Sequence, residues 1–206
     1  MTWLDRLFLL LTGLVALYAL SRFYQAYNRT PKTAYLAYML SFLVLLVAGV
    51  LLIAFGYSLL ASPWVVVVTT LIPLGLATGL VYEFKPQWAK AYLAFAVIGF
   101  LLIAAAYLGG MTSLGKIVLP IVHSIAGLTI VLLPLLAVSQ GLAPAGFAWV
   151  AVGGVLIGLG GIALAFLKAG KQFLFFSQQV VYLILAPLLL AMTLAYTWGF
   201  LKRLAS

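Results

Sequence analysis

AYLAYMLSFLVLLVAGVLLIAFGYSLL, from Ala34 to Leu60, contains no charged side chain. The hydrocarbon core of a bilayer is ~30 Å thick and is crossed by roughly 20 apolar residues wound as a helix, so this single run is long enough to span it. A spanning segment must satisfy its own backbone hydrogen bonds, which favours the helix over any open extended form. Six further stretches of similar character lie on either side: Trp3 to Tyr24, Pro63 to Phe84, Trp88 to Leu108, Lys116 to Ser139, Gly146 to Leu167 and Phe173 to Leu201. Short joints with turn chemistry separate them, at Asn28 with Pro31, Ser62-Pro63, Pro86, Gly109-Gly110, Gly141 with Pro144, and Gly170. The expected fold class is therefore all-α: a polytopic membrane helix bundle of seven transmembrane helices, forming a single integral membrane domain over residues 1–206.

A weak internal repeat suggests one leading helix followed by three related hairpins. Lys32-Thr33-Ala34-Tyr35-Leu36-Ala37-Tyr38 opens the second helix and Ala89-Lys90-Ala91-Tyr92-Leu93-Ala94-Phe95 the fourth, and the sixth begins at Gly146-Phe147-Ala148-Trp149. The partner of each carries one proline in an apolar run: Pro73, Pro134 and Pro187. Proline removes a backbone donor and clashes with the carbonyl four residues back, so all three are expected kinks.

Of 206 residues, 67% are hydrophobic, 11 are Lys or Arg and two are acidic, Asp5 and Glu83. The net charge of +9 would point to nucleic acid in a soluble protein, but here the basic residues stand singly at helix ends. They read as topology anchors and lipid-headgroup contacts, and no nucleic-acid partner is expected. Arg22, Arg29, Lys32, Lys85, Lys90, Lys202 and Arg203 fall on one side, against Arg6, Lys116, Lys168 and Lys171 on the other. The richer side belongs in the cytoplasm, which places the N-terminus outside and the C-terminus inside. Glu83 beside Lys85, and Asp5 beside Arg6, read as markers of the water boundary.

No cysteine is present, so disulfides, thiolate metal sites and covalent c-type haem are excluded in this chain, and no metal site is expected. His123 is the single histidine. At similar depth stand Ser124, Gln178, Gln179, Thr69 and Thr70, and together they are expected to form a polar layer in the outer leaflet, facing the bundle interior. Such a layer suits a structural histidine or one that meets a haem, pigment or quinone, and the cofactor stays open. Helix six carries Gly154, Gly158 and Gly161, a small-residue face expected to pack closely on another helix. A retinal protein would need a lysine in the last helix, and none lies between Phe173 and Leu201.

No paired catalytic constellation stands in the sequence, and no enzymatic activity is expected. The leading reading is a non-catalytic integral subunit or scaffold of a larger membrane complex, such as a respiratory or photosynthetic one. Its partners would be membrane lipid and other membrane subunits or a second copy of itself. The alternative is a stand-alone facilitator or channel for a small neutral solute.

Overall fold

The structure is a computed structural model that describes residues 1–168 and 178–205. It is 90% helical and contains no strand among these residues, as the apolar runs require. The helices are α1 (Trp3–Arg29), α2 (Thr33–Phe55), α3 (Pro63–Thr69), α4 (Leu71–Phe84), α5 (Ala89–Leu108), α6 (Thr112–Ser139), α7 (Trp149–Lys168) and α8 (Gln178–Leu204). Among the described residues six segments are long and apolar enough to cross a membrane, with α3 and α4 together making one of them; Ala145–Leu159 is a shorter apolar stretch. Short 3-10 turns join several of these helices: Tyr57–Ala61, Pro86–Trp88 and Ala145–Ala148.

Local chemistry explains the boundaries. Thr2 and Asp5 form a capping box on α1, in which the Asp5 N–H donates to the Thr2 hydroxyl at 3.2 Å and the Thr2 N–H donates to the Asp5 carboxylate at 2.6 Å. Asp5 is thus buried and used by its own helix end, and is more than a mark of the water boundary. At the other end of the second span, Gly56 at φ 72° ends α2, in a backbone region that side-chain-bearing residues avoid.

The third span breaks at Thr70, where α3 ends and α4 begins. Pro73 supplies no N–H for the Thr69 carbonyl and its ring crowds that carbonyl, so the expected kink occurs here. By contrast, α6 and α8 continue as helix through Pro134 and Pro187, and α6 also contains Pro120.

Sequential pairs α2 with α4, α5 with α6, and α7 with α8 all pack on each other, as three hairpins would. Contacts run from α1 to α2, α4, α6, α7, α8 and back to α1, closing a ring, while α5 packs outside it against α3, α4 and α6. Within the ring, α4 is buried on every side from Leu74 to Val81. Tyr57 stacks on Tyr182 near the start of α8, with ring centroids 5.4 Å apart, beside Leu9 of α1. The start of α1 and the start of α8 therefore share one end of the bundle, and the chain ends at the other. Tyr57 lies outside the spans, and burial, followed by the nearby Asp5 carboxylate, pushes its hydroxyl above the usual tyrosine value.

Candidate functional site

The basic end of the bundle is held by one face of α4. Gly75, Gly79 and Glu83 recur every four residues, so they lie along one stripe of the helix. A Cβ on Gly75 would collide with the Ser41 hydroxyl and lie 2.9 Å from the Ala37 carbonyl, and one on Gly79 would collide with the Tyr38 ring. The missing side chains let α2 approach closely, which in a membrane is how helices gain dispersion contacts. Tyr38 then packs against Gly79 and reaches the third member of the stripe: its hydroxyl donates to Glu83 Oε2 at 2.9 Å.

Arg203, in the last turn of α8, completes the cluster from the other side. Its Nε donates to Glu83 Oε1 at 2.8 Å, so both carboxylate oxygens are engaged. The Glu83 side chain is 8% exposed and that of Arg203 28%, and the guanidinium also lies over Phe84 at 5.5 Å. Around this cluster sits a bed of rings. Phe23 lies 5.1 Å from Tyr38 and 5.3 Å from Phe200, Tyr38 lies 4.5 Å from Phe200, and Phe147 bridges Phe200 and Phe84. Four helices, α1, α2, α4 and α8, meet there. Glu83, read from the sequence as a marker of the water boundary, is more than that: it is bound by Arg203 and Tyr38, while the neighbouring Lys85 lines a different surface.

That surface is an open groove of about 380 Å³ between α4, α5 and α6, lined by Lys85, Trp88, Tyr92, Phe95, Ile125 and Leu133, among others. The Tyr92 hydroxyl donates to Thr129 at 3.2 Å, and Thr129 donates to the Ile125 carbonyl at 2.8 Å. The two hydroxyls in its wall are thereby satisfied.

The residues expected to form an outer polar layer are placed differently. His123 and Ser124 are exposed on α6, turned away from the core. Thr69 donates to the Val65 carbonyl at 2.7 Å and Thr70 to the Val67 carbonyl at 2.6 Å, so both hydroxyls serve the break before Pro73 and neither reaches His123. The side chains of Gln178 and Gln179, at the start of α8, lie outside the described residues, and so does any pairing of theirs with the histidine. Lys171 and the Gly170 joint also lie outside the described residues.

The glycines of α7 divide. A Cβ on Gly154 would lie 3.0 Å from Ile130 and from Val131, so this glycine does seat α7 on α6, and Gly153 is covered by the Tyr196 ring. Gly158 and Gly161 are exposed and Gly127 of α6 is partly so, with no described residue within 4 Å of a Cβ built on any of the three. The close contact expected of this glycine face is thus made at Gly154, and at Gly158 and Gly161 the face is left open among the described residues.

No group of three or more potential metal ligands occurs among the described residues. Comparison with known protein families, with curated proteins and with solved structures finds no match.

Proposed function

We propose that this protein is a non-catalytic integral membrane subunit that seats another membrane protein against the His123 side of α6. One observation carries this reading: an imidazole and the hydroxyl of Ser124 stand exposed on a long apolar helix, about 16 Å along it from Thr112 at ~1.5 Å per residue. Facing hydrocarbon, their hydrogen-bonding groups would go unsatisfied at a cost of ~2–7 kcal/mol each, whereas a partner helix can satisfy them. The bare backbone at Gly127, one turn along the same face of α6, and at Gly158 and Gly161 of α7 offers the close approach that membrane helices use. The packed rings of the basic end, with Phe23, Tyr38, Phe147 and Phe200 all fully buried, favour this reading over a facilitator with an open path.

A photo-crosslinking amino acid at position 123 tests it. In native membranes it is expected to join the chain to a second polypeptide, whose mass tells self-association from a distinct subunit. The same group at Leu101, exposed on α5, is expected to capture lipid alone. Lipid adducts alone at both positions would overturn the reading.

In the same reading α7 completes seven crossings, and the basic end, with Arg22, Arg29, Lys32, Lys85, Lys90, Lys202 and Arg203, faces the cytoplasm. The absence of cysteine allows a clean check with an impermeant thiol reagent. Met111→Cys is expected to label in intact cells and Thr30→Cys only after lysis; both positions are exposed. The opposite pattern would invert the orientation.

A further inference from the structure

We infer that the groove between α4, α5 and α6 is a binding site for an anionic phospholipid, which lays one acyl chain against Phe95, Ile125 and Leu133 and its phosphate against Lys85. The depth of the groove is apolar, since the one hydrogen-bonding chain within it, Tyr92 to Thr129 to the Ile125 carbonyl, closes on itself. A quinone or similar polar ring would need free donors at that level. An acyl chain needs none, and gains dispersion contacts along the apolar walls.

The mouth of the groove differs from its depth. Lys85 is half-buried there, and among the described residues it has no acidic partner, because Glu83 is bound by Arg203 and Tyr38, and Asp5 caps α1 at the far end of the bundle. Trp88, 63% exposed, stands beside it at the level where tryptophan and headgroups meet. A cation and an interfacial ring over an apolar trough match an amphiphile with a negative head, and at a helix end the leaflet itself supplies one. This site is independent of the His123 face, since Ile125 lies about 200° around α6 from His123 at 3.6 residues per turn.

The test uses the whole chain in nanodiscs of equal phosphatidylglycerol and phosphatidylcholine, released into detergent and weighed by native mass spectrometry. The wild type is expected to retain one lipid, enriched about fivefold in phosphatidylglycerol, the factor that corresponds to about 1 kcal/mol for one basic residue at the surface. Lys85→Gln is expected to retain the lipid without the preference. Ala91→Trp, which fills the groove, is expected to lose the lipid itself. Lys90→Gln, on the exposed side of α5 and outside the groove, is expected to behave as wild type. Equal retention of the two lipids by the wild type, an undiminished preference in Lys85→Gln, or a loss in Lys90→Gln as large as in Lys85→Gln would each overturn the proposal.

Discussion

Arg203→Leu is expected to be the most damaging single change at the basic end, lowering the unfolding free energy by ~3 kcal/mol or more. It leaves the Glu83 carboxylate, 8% exposed, without the cation that neutralises it. The group must then stay charged and unpaired or take up a proton, and either costs stability. Glu83→Leu is expected to cost less, ~1–3 kcal/mol, because Arg203 is 28% exposed and its long stem lets the guanidinium turn toward water. Most of that smaller loss is the Tyr38 hydroxyl, buried and deprived of its acceptor. Combining Tyr38→Phe, Glu83→Leu and Arg203→Leu removes the stranded carboxylate and hydroxyl together and is expected to recover part of the stability lost in Arg203→Leu. Denaturation of the wild type and the three variants in mixed micelles, followed by circular dichroism, gives all three differences. Equal losses in the two single variants, or a triple variant as unstable as Arg203→Leu, would contradict the clamp.

Gly79→Leu should have the second large effect, at or beyond the upper end of the ~1–3 kcal/mol typical of overpacking. Even a methyl group at that position would lie 2.6 Å from Tyr38 Cδ1. The ring cannot retreat, since Tyr38 is 1% exposed, packed against Phe23 and Phe200, and tethered through its hydroxyl. Gly158→Leu, on an open face, is expected to change the isolated chain by no more than ~0.5 kcal/mol. In the native membrane the same variant should weaken the partner contact proposed at α6 and α7. Thermal melts of both variants in detergent separate the two glycines, and an equal loss would show that the α2–α4 seam has no special role.

Much of the architecture follows from local features that need no knowledge of the fold. Uncharged runs such as Ala34 to Leu60 favour the helix in a bilayer, Pro63 marks the joint that follows, and Pro73 places a break in the third span, whereas the hydropathy of the run does not mark the end of α2 at Gly56. The basic residues stand singly at the helix ends, next to the joints. Each of these depends on residues adjacent in the chain.

The helix faces were decided only by tertiary packing. In a soluble bundle a polar side and an apolar side show which face of a helix turns inward, but here α4 is apolar all round from Leu74 to Leu80 apart from Thr78 and two glycines, and lipid is as apolar as leucine. Sequence therefore marks the glycine pairs 75–79 and 154–158 equally, although the first pair is a tight seam and the second is half open. For the same reason Glu83 looks like a neighbour of Lys85, two positions away, when its partner Arg203 lies 120 residues along the chain. Nothing in the hydropathy of α4 or α8 specifies their rotation about their own axes. That rotation is set by which side chains interlock, Tyr38 over Gly79 and Phe200 against Tyr38, and the interlocking places Arg203 on Glu83 and leaves His123 facing outward.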